Sequence, residues 1–362
     1  MAHESPSPEN GRDACGCVPR NRMTKEESRA LDILRFLLVA CIVPLHCTVA
    51  HRMQAPSNAH VLQVQRLLCV PCLDILFLIS GYLFFRGTAG VGPFWRVWKD
   101  KCIRRIGSLL VPYLVWSAVA IAWYASTRSF PDGHSIGSPA GLASLLVGWN
   151  GIFSHPVGFA LWYTKSLMLF ALLAPLYWCC FRALGRTSVI VALFLAAFPP
   201  VRIDWPFFNS WLFLGGSLAW NGASLSGLAG GARRKAILFL PLLAAWRIWD
   251  AFGAAPPPRF LDCIPVLAWL CVYDALLAGK FAHLLSRLAP AASFLYFSHV
   301  LFSKATLAVL LKLFFGGLIS PTGGIVLFLA RTAITLVASL SAFFFLRRTA
   351  PKLLRMLTGA RC

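Results

Sequence analysis

The segment RALDILRFLLVACIVPLH, residues 29–46, decides how this chain is read. Between Arg35 and His46 it carries no charge. With its continuation to residue 50 it reaches the roughly 20 residues that a helix, rising about 1.5 Å per residue, needs to cross about 30 Å of hydrocarbon. The segment is therefore read as a first membrane span. Arg35 and His46 are eleven residues apart, about three turns of an α-helix, so they face the same way about 16 Å apart along the axis. Asp32 precedes Arg35 by three residues on a neighbouring face, and Pro44 is placed to kink the helix just before His46.

Composition extends this reading to the whole chain. Hydrophobic residues make up 58% of 362, and the mean hydropathy is +0.69. Charged residues are 13%, about half the roughly 25% of soluble domains. A water-facing surface for a chain of this length cannot be built from so few charges. The expected fold class is all-α: a polytopic transmembrane helical bundle of about ten spans. These lie near residues 30–50, 61–85, 106–125, 161–180, 188–200, 210–226, 236–250, 263–279, 291–311 and 325–346. The flanking domains are a polar tail over 1–29, read as disordered, and a basic tail over 347–362; the transmembrane domain is 30–346. Residues 1–29 lack the apolar core of a signal peptide, and Met23 offers a second natural-looking start besides Met1.

The net charge of +21 is distributed in a way that excludes nucleic acid as a partner and points to a lipid bilayer. Placing the N-terminus inside puts the clusters around Lys25 and Arg29, Arg96 to Arg105, Arg233 to Lys235, and Arg347 to Arg355 on one side. The outside segments keep only Arg52, Arg128, Arg202 and Arg259. Retention of basic residues on the cytoplasmic face then sets both termini in the cytoplasm. The outside loop 126–160, with Asp132, His134, Trp149, Asn150 and His155, suits sugar binding or simple interfacial anchoring. Cysteines such as Cys41, Cys47 and Cys271 sit in apolar runs and read as buried thiols. The Cys69-x-x-Cys72 pair has no second pair nearby and reads as packing, so no metal is expected.

Several cations lie within or beside spans: Arg35, Arg66, Lys165, Arg247, Lys304, Lys312 and Arg331. Ionisable groups inside a membrane are costly and mark functional sites by default, although those near span ends can snorkel. Arg35 and His46 together suit a substrate with an anionic head and a long thin arm. Arg35 would hold phosphate, and His46 would act as general base on a hydroxyl. The plain structural alternative is a buried histidine bonded to a neighbouring helix, with Arg35 snorkelling.

The Arg-x10-His spacing and the run Leu31-Asp32-Ile33-Leu34-Arg35 resemble the acyltransferase 3 family of integral membrane acyltransferases. Further stretches match in order. Asp74 to Leu83, DILFLISGYL, is similar to the family's second helix. The basic run Lys101, Arg104 and Arg105 leads into LLVPYLVW, although Lys101 stands where the family carries an arginine. Trp162 and Lys165 fall in a stretch similar to the family's L-W-F-L-R, again with lysine for arginine. Phe207 to Gly216 and Phe294 to His299 resemble later elements.

The resemblance implies transfer of an acyl group, most often acetyl, from cytoplasmic acyl-coenzyme A to a hydroxyl of a cell-surface or exported carbohydrate, in a bacterial inner membrane. It implies catalytic roles for His46, Arg35 and Asp74. Arg35, Lys101, Arg104 and Arg105 would hold the acyl donor, and Trp162, Lys165 and His299 would line the acceptor site. Two rivals remain. A transporter or flippase would also use intramembrane Arg, His and Asp, but it would show repeat-related broken helices, and no such repeat is evident. An acyltransferase working at the cytoplasmic face on a lipid-linked sugar would share every motif.

Overall fold

The computed structural model describes residues 23–47, 65, 69–89, 94–127, 161–198, 209–225, 227, 241–242, 245, 263–278, 282–314 and 321–359. All regular structure among them is helical. The helices are α1 (Lys25–Ile42), α2 (Val70–Phe85), α3 (Phe94–Arg105), α4 (Val111–Thr127), α5 (Trp162–Leu184), α6 (Thr187–Ala197), α7 (Ser210–Trp220), α8 (Cys263–Ala278), α9 (Ala282–Leu288), α10 (Ala292–Phe314), α11 (Pro321–Thr349) and α12 (Pro351–Thr358). Most of the span expected at 236–250 (all but 241, 242 and 245), the loop 128–160, the cluster Arg233 to Lys235, Arg66, Arg247 and the side chain of Lys312 lie outside the described residues.

Among the described residues, four stretches are long and apolar enough to cross a membrane: Phe94–Thr127, Trp162–Leu184, Leu285–Leu310 and Gly324–Thr349. Apolar side chains such as Leu172, Leu176, Ile190, Phe194, Val337 and Phe345 stand exposed on α5, α6 and α11. A water-soluble protein does not present such faces, whereas lipid covers them without cost. The chain is a multi-pass membrane protein. Two expected spans are shorter than foreseen. Helices α6 and α7 have 11 residues each, or about 16 Å, roughly half the hydrocarbon thickness.

Helix α1 starts where its sequence says it should. Thr24 accepts from the Glu27 amide, and the Glu27 carboxylate accepts from the Thr24 amide, closing a capping box. Its buried face, including Ile33, Leu34 and Leu38, packs against α2, α8 and α10. Helices α2 and α7 touch backbone to backbone. A Cβ on Gly81 would lie 2.0 Å from the Leu212 carbonyl oxygen, and one on Gly215 would lie 1.9 Å from that of Leu78. Small residues permit this approach, the usual means of packing helices in lipid. Pro175 inside α5 leaves the Ala171 carbonyl without its intrahelical partner. The Trp98 indole donates to that oxygen at 2.7 Å, tying α3 to α5.

The segment expected as a basic tail is mostly helical. Residues up to Thr349 extend α11, and α12 folds back with Leu354, Leu357 and Thr358 buried. Its basic residues Lys352 and Arg355 occupy the exposed face, so an amphipathic pattern had been masked by the charge count.

Candidate active site

Helix α1 gives way to a 3-10 turn over Val43–His46, because Pro44 has no amide hydrogen to continue the α ladder. The Pro44 carbonyl is taken up by the Cys47 amide at 3.0 Å and by the buried Gln65 side chain at 2.8 Å. The Ser303 hydroxyl of α10 donates to the His46 carbonyl at 2.7 Å, and Ser303 also lies 3.5 Å from the Cys47 thiol. The Arg331 Nε of α11, only 4% exposed, donates to the Ser303 carbonyl at 3.0 Å. Gln65 and Ser303 thus hold the backbone that carries His46, and Arg331 in turn holds Ser303.

The His46 ring lies 4.9 Å, centroid to centroid, from that of His299 on α10. His299 is 0% exposed. Its Nδ1 is 2.7 Å from the Tyr296 carbonyl oxygen and 3.1 Å from that of Leu295. Carbonyl oxygens only accept, so Nδ1 carries the proton and Nε2 presents a lone pair. That Nε2 is buried with no hydrogen-bond partner among the described residues. The charges of Arg331 and Lys304 lie within electrostatic reach of His46. The Lys304 ammonium is held by the Tyr124 hydroxyl and sits over the Tyr124 ring, 4.3 Å from its centroid.

A cleft of about 120 Å³ runs alongside. Arg35 and Val39 of α1, Ser80 of α2, Arg105 and Ser108, Tyr163 and Thr164 of α5, Tyr296 of α10 and Thr358 of α12 line it. Charge gathers at Arg35 and Arg105; hydroxyls gather around Tyr163 and Tyr296. The Tyr163 hydroxyl donates to the Leu76 carbonyl at 3.1 Å and lies 2.9 Å from the Ser80 hydroxyl. Thr164 donates to the Tyr296 hydroxyl at 3.4 Å. The Tyr296 ring lines the cleft and lies 6.3 Å from the His299 ring, so it touches both surroundings.

The structure brings some of the singled-out residues together and separates others. Arg35 lines the cleft, pairs with Asp32 at 3.4 Å and keeps 34% of its side chain exposed. His46 and His299 are neighbours outside the cleft lining. The basic run divides three ways. Arg105 lines the cleft and covers the Phe84 ring at 4.7 Å. Lys101 donates to the Phe84 carbonyl and, at 3.5 Å, to that of Arg86, capping the end of α2. Arg104 binds the Asp100 carbonyl at 3.2 Å on an exposed face. Asp74 is buried at 2% exposure and does not line the cleft. Lys165 is 6% exposed, and Trp162 packs against Phe77 with centroids 6.0 Å apart; neither lines the cleft.

Residues not foreseen as site members are Ser80, Tyr163, Thr164, Tyr296 and Ser303. A signal for part of this set was present: Tyr296, His299 and Ser303 recur at three and four residues, one face of a helix. Among the described residues no cluster of His, Cys, Asp and Glu is arranged to hold a metal ion.

The geometry is that of a membrane-embedded helical bundle with a cleft lined by Arg35 and Arg105 and, outside that lining, a half-buried His46 beside a buried His299. The sequence model of the acyltransferase 3 family, described as an acyltransferase domain, matches residues 28–344, and the chain belongs to this family. It is similar to the succinoglycan biosynthesis protein ExoH of Rhizobium meliloti (strain 1021), with 28% identity over 195 residues. That match covers 49% of this chain and 49% of ExoH, so the chain aligns with about half the length of this relative. No solved structure matches.

Proposed function

We propose that this acyltransferase is an O-acyltransferase of a bacterial inner membrane. It moves an acyl group, acetyl in the first instance, from cytoplasmic acyl-coenzyme A to a hydroxyl of a cell-surface or exported carbohydrate. The observation that carries the reading is the pair of half-buried His46 and buried His299, linked through Tyr296 to a cleft lined by Arg35 and Arg105. Arg35 and Arg105 fit the phosphates of the acyl donor, and the narrow cleft fits a thin pantetheine arm. Lys101 and Arg104 add to the positive field at the mouth rather than to the cleft wall.

In this scheme the acceptor hydroxyl oxygen attacks the thioester carbonyl carbon. His46 takes the hydroxyl proton as general base. A C–O bond forms, the C–S bond breaks, and the proton passes to the departing thiolate to give free coenzyme A. His299 Nε2 is a buried acceptor that lacks a donor among the described residues, and a second hydroxyl of the acceptor sugar, not the one that gives its proton to His46, supplies it. Asp74 balances charge near the first helix, and Trp162 and Lys165 serve the acceptor side. An orientation with both termini cytoplasmic, as the basic loops suggest, would put the acyl donor and an exported glycan on opposite faces. The succinoglycan pathway named for ExoH supports a polysaccharide acceptor.

The test is transfer of label from radiolabelled acetyl-coenzyme A to surface glycan in sealed vesicles containing the purified protein. Label should appear on glycan with the wild type and vanish with His46→Ala. Transport of glycan without labelling would replace this reading with a transporter.

A further inference from the structure

The cleft includes Thr358, a residue beyond position 344, where the family match ends. Helix α12 is bound tightly at this end. The Trp116 indole of α4 donates to the Leu357 carbonyl at 3.0 Å. Gly359 follows with φ +71°, a left-handed conformation that glycine adopts without strain. A Cβ at Gly359 would lie 2.5 Å from the carbonyl oxygen of Ser108 and 2.6 Å from its Cα. Ser108 sits in the π-helical turn Ile106–Leu110 that joins α3 to α4, immediately after Arg105. A π turn is a widened, weakly determined piece of helix that recurs at functional sites. Its side-chain directions depend on what holds it.

We infer that the C-terminal turn Leu357–Gly359 is a positioning element of the acyl donor site. It clamps the π turn so that Arg105 and Ser108 face Arg35 across the cleft, where they meet the nucleotide phosphates of the donor. The inference rests on the donor reading proposed above. Three observations converge on it: the indole bond to Leu357, the backbone contact that only glycine permits, and Thr358 in the cleft wall. The face of α12 turned away from the cleft, with Lys352 and Met356, has no part in it.

The experiment uses the full chain in lipid nanodiscs, with coenzyme A itself as the binding probe and acetyl transfer as the kinetic readout. Gly359→Val and a chain ending at Ala350 should each weaken coenzyme A binding about tenfold and raise the KM for the acyl donor in parallel, with kcat at saturating donor nearly unchanged. Trp116→Phe keeps the ring and removes one hydrogen bond, so it should weaken binding about fivefold. It decides the matter if the other two variants fail to insert. Lys352→Ala should behave as wild type. Wild-type binding of coenzyme A with equal binding by Gly359→Val and Trp116→Phe overturns the clamp alone. A fall in kcat with KM unchanged also overturns it, because general loosening acts that way. Absence of coenzyme A binding in the wild type removes the donor reading, and the clamp with it.

Discussion

His46 is held by its backbone as much as by its ring. Pro44 ends the α ladder, and Gln65 and Ser303 then take the carbonyls of Pro44 and His46. Replacing His46 with Ala should lower kcat by about 10²- to 10⁴-fold, the usual weight of a general base, while the protein still inserts. Single-turnover transfer measures this. Ser303→Ala removes the hydroxyl that donates to the His46 carbonyl, and should cost about 1 kcal/mol of stability together with a several-fold loss of kcat. Thermal unfolding and kinetics on the same preparation check both. Arg35→Ala should raise the KM for the acyl donor about tenfold or more with a smaller change in kcat, because it removes a charge-assisted contact made before the chemical step. Arg35 and His46 were readable because a charge and an imidazole are out of place in an apolar run. Ser303 and Thr164 were not, because a hydroxyl in a membrane helix ordinarily bonds back to its own turn and leaves no pattern in the sequence.

At the scale of elements, the stretch around Ser80 and Gly81 joins three helices. Ser80 meets Tyr163 of α5, and Gly81 lets α7 approach to backbone contact. Gly81→Leu should therefore abolish the folded bundle, since nothing beside the Leu212 carbonyl is a side chain that can move aside. Monodisperse yield in detergent reads this out. Trp98→Phe should cost about 1 kcal/mol by removing the stronger donor to the Ala171 carbonyl that Pro175 leaves free, with only the Cys102 thiol at 3.5 Å remaining. The proline was visible in the sequence as a break. Its partner was not, because the indole comes from another helix and no periodicity links the two positions. The burial of helix α12 was not legible for a related reason: Arg347, Arg348, Lys352 and Arg355 mark the segment as basic, while Leu354 and Leu357 turn to the opposite side and bury.

At the scale of the whole molecule, exposed apolar side chains on α5, α6 and α11 define a surface that lipid must cover. The distribution of Lys and Arg predicts an orientation, with the basic loops retained in the cytoplasm. Reporter fusions placed at the N-terminus, within Arg233 to Lys235 and after the C-terminus should all report the cytoplasm. A periplasmic signal from any one of them would reverse the orientation on which the placement of acyl donor and acceptor depends.

By itself the sequence determined the solvent, the fold class and the two polar anchors of the first helix. Each of these follows from composition and from local spacing along one helix, which the chain's own order encodes. The tertiary structure alone decided which cations share the cleft and which do not. It set Arg105 beside Arg35, spent Lys101 on the end of α2, paired His46 with His299 and brought Thr358 to the wall. Those outcomes depend on contacts between residues far apart in the chain, whose partners are chosen by packing rather than by any local rule.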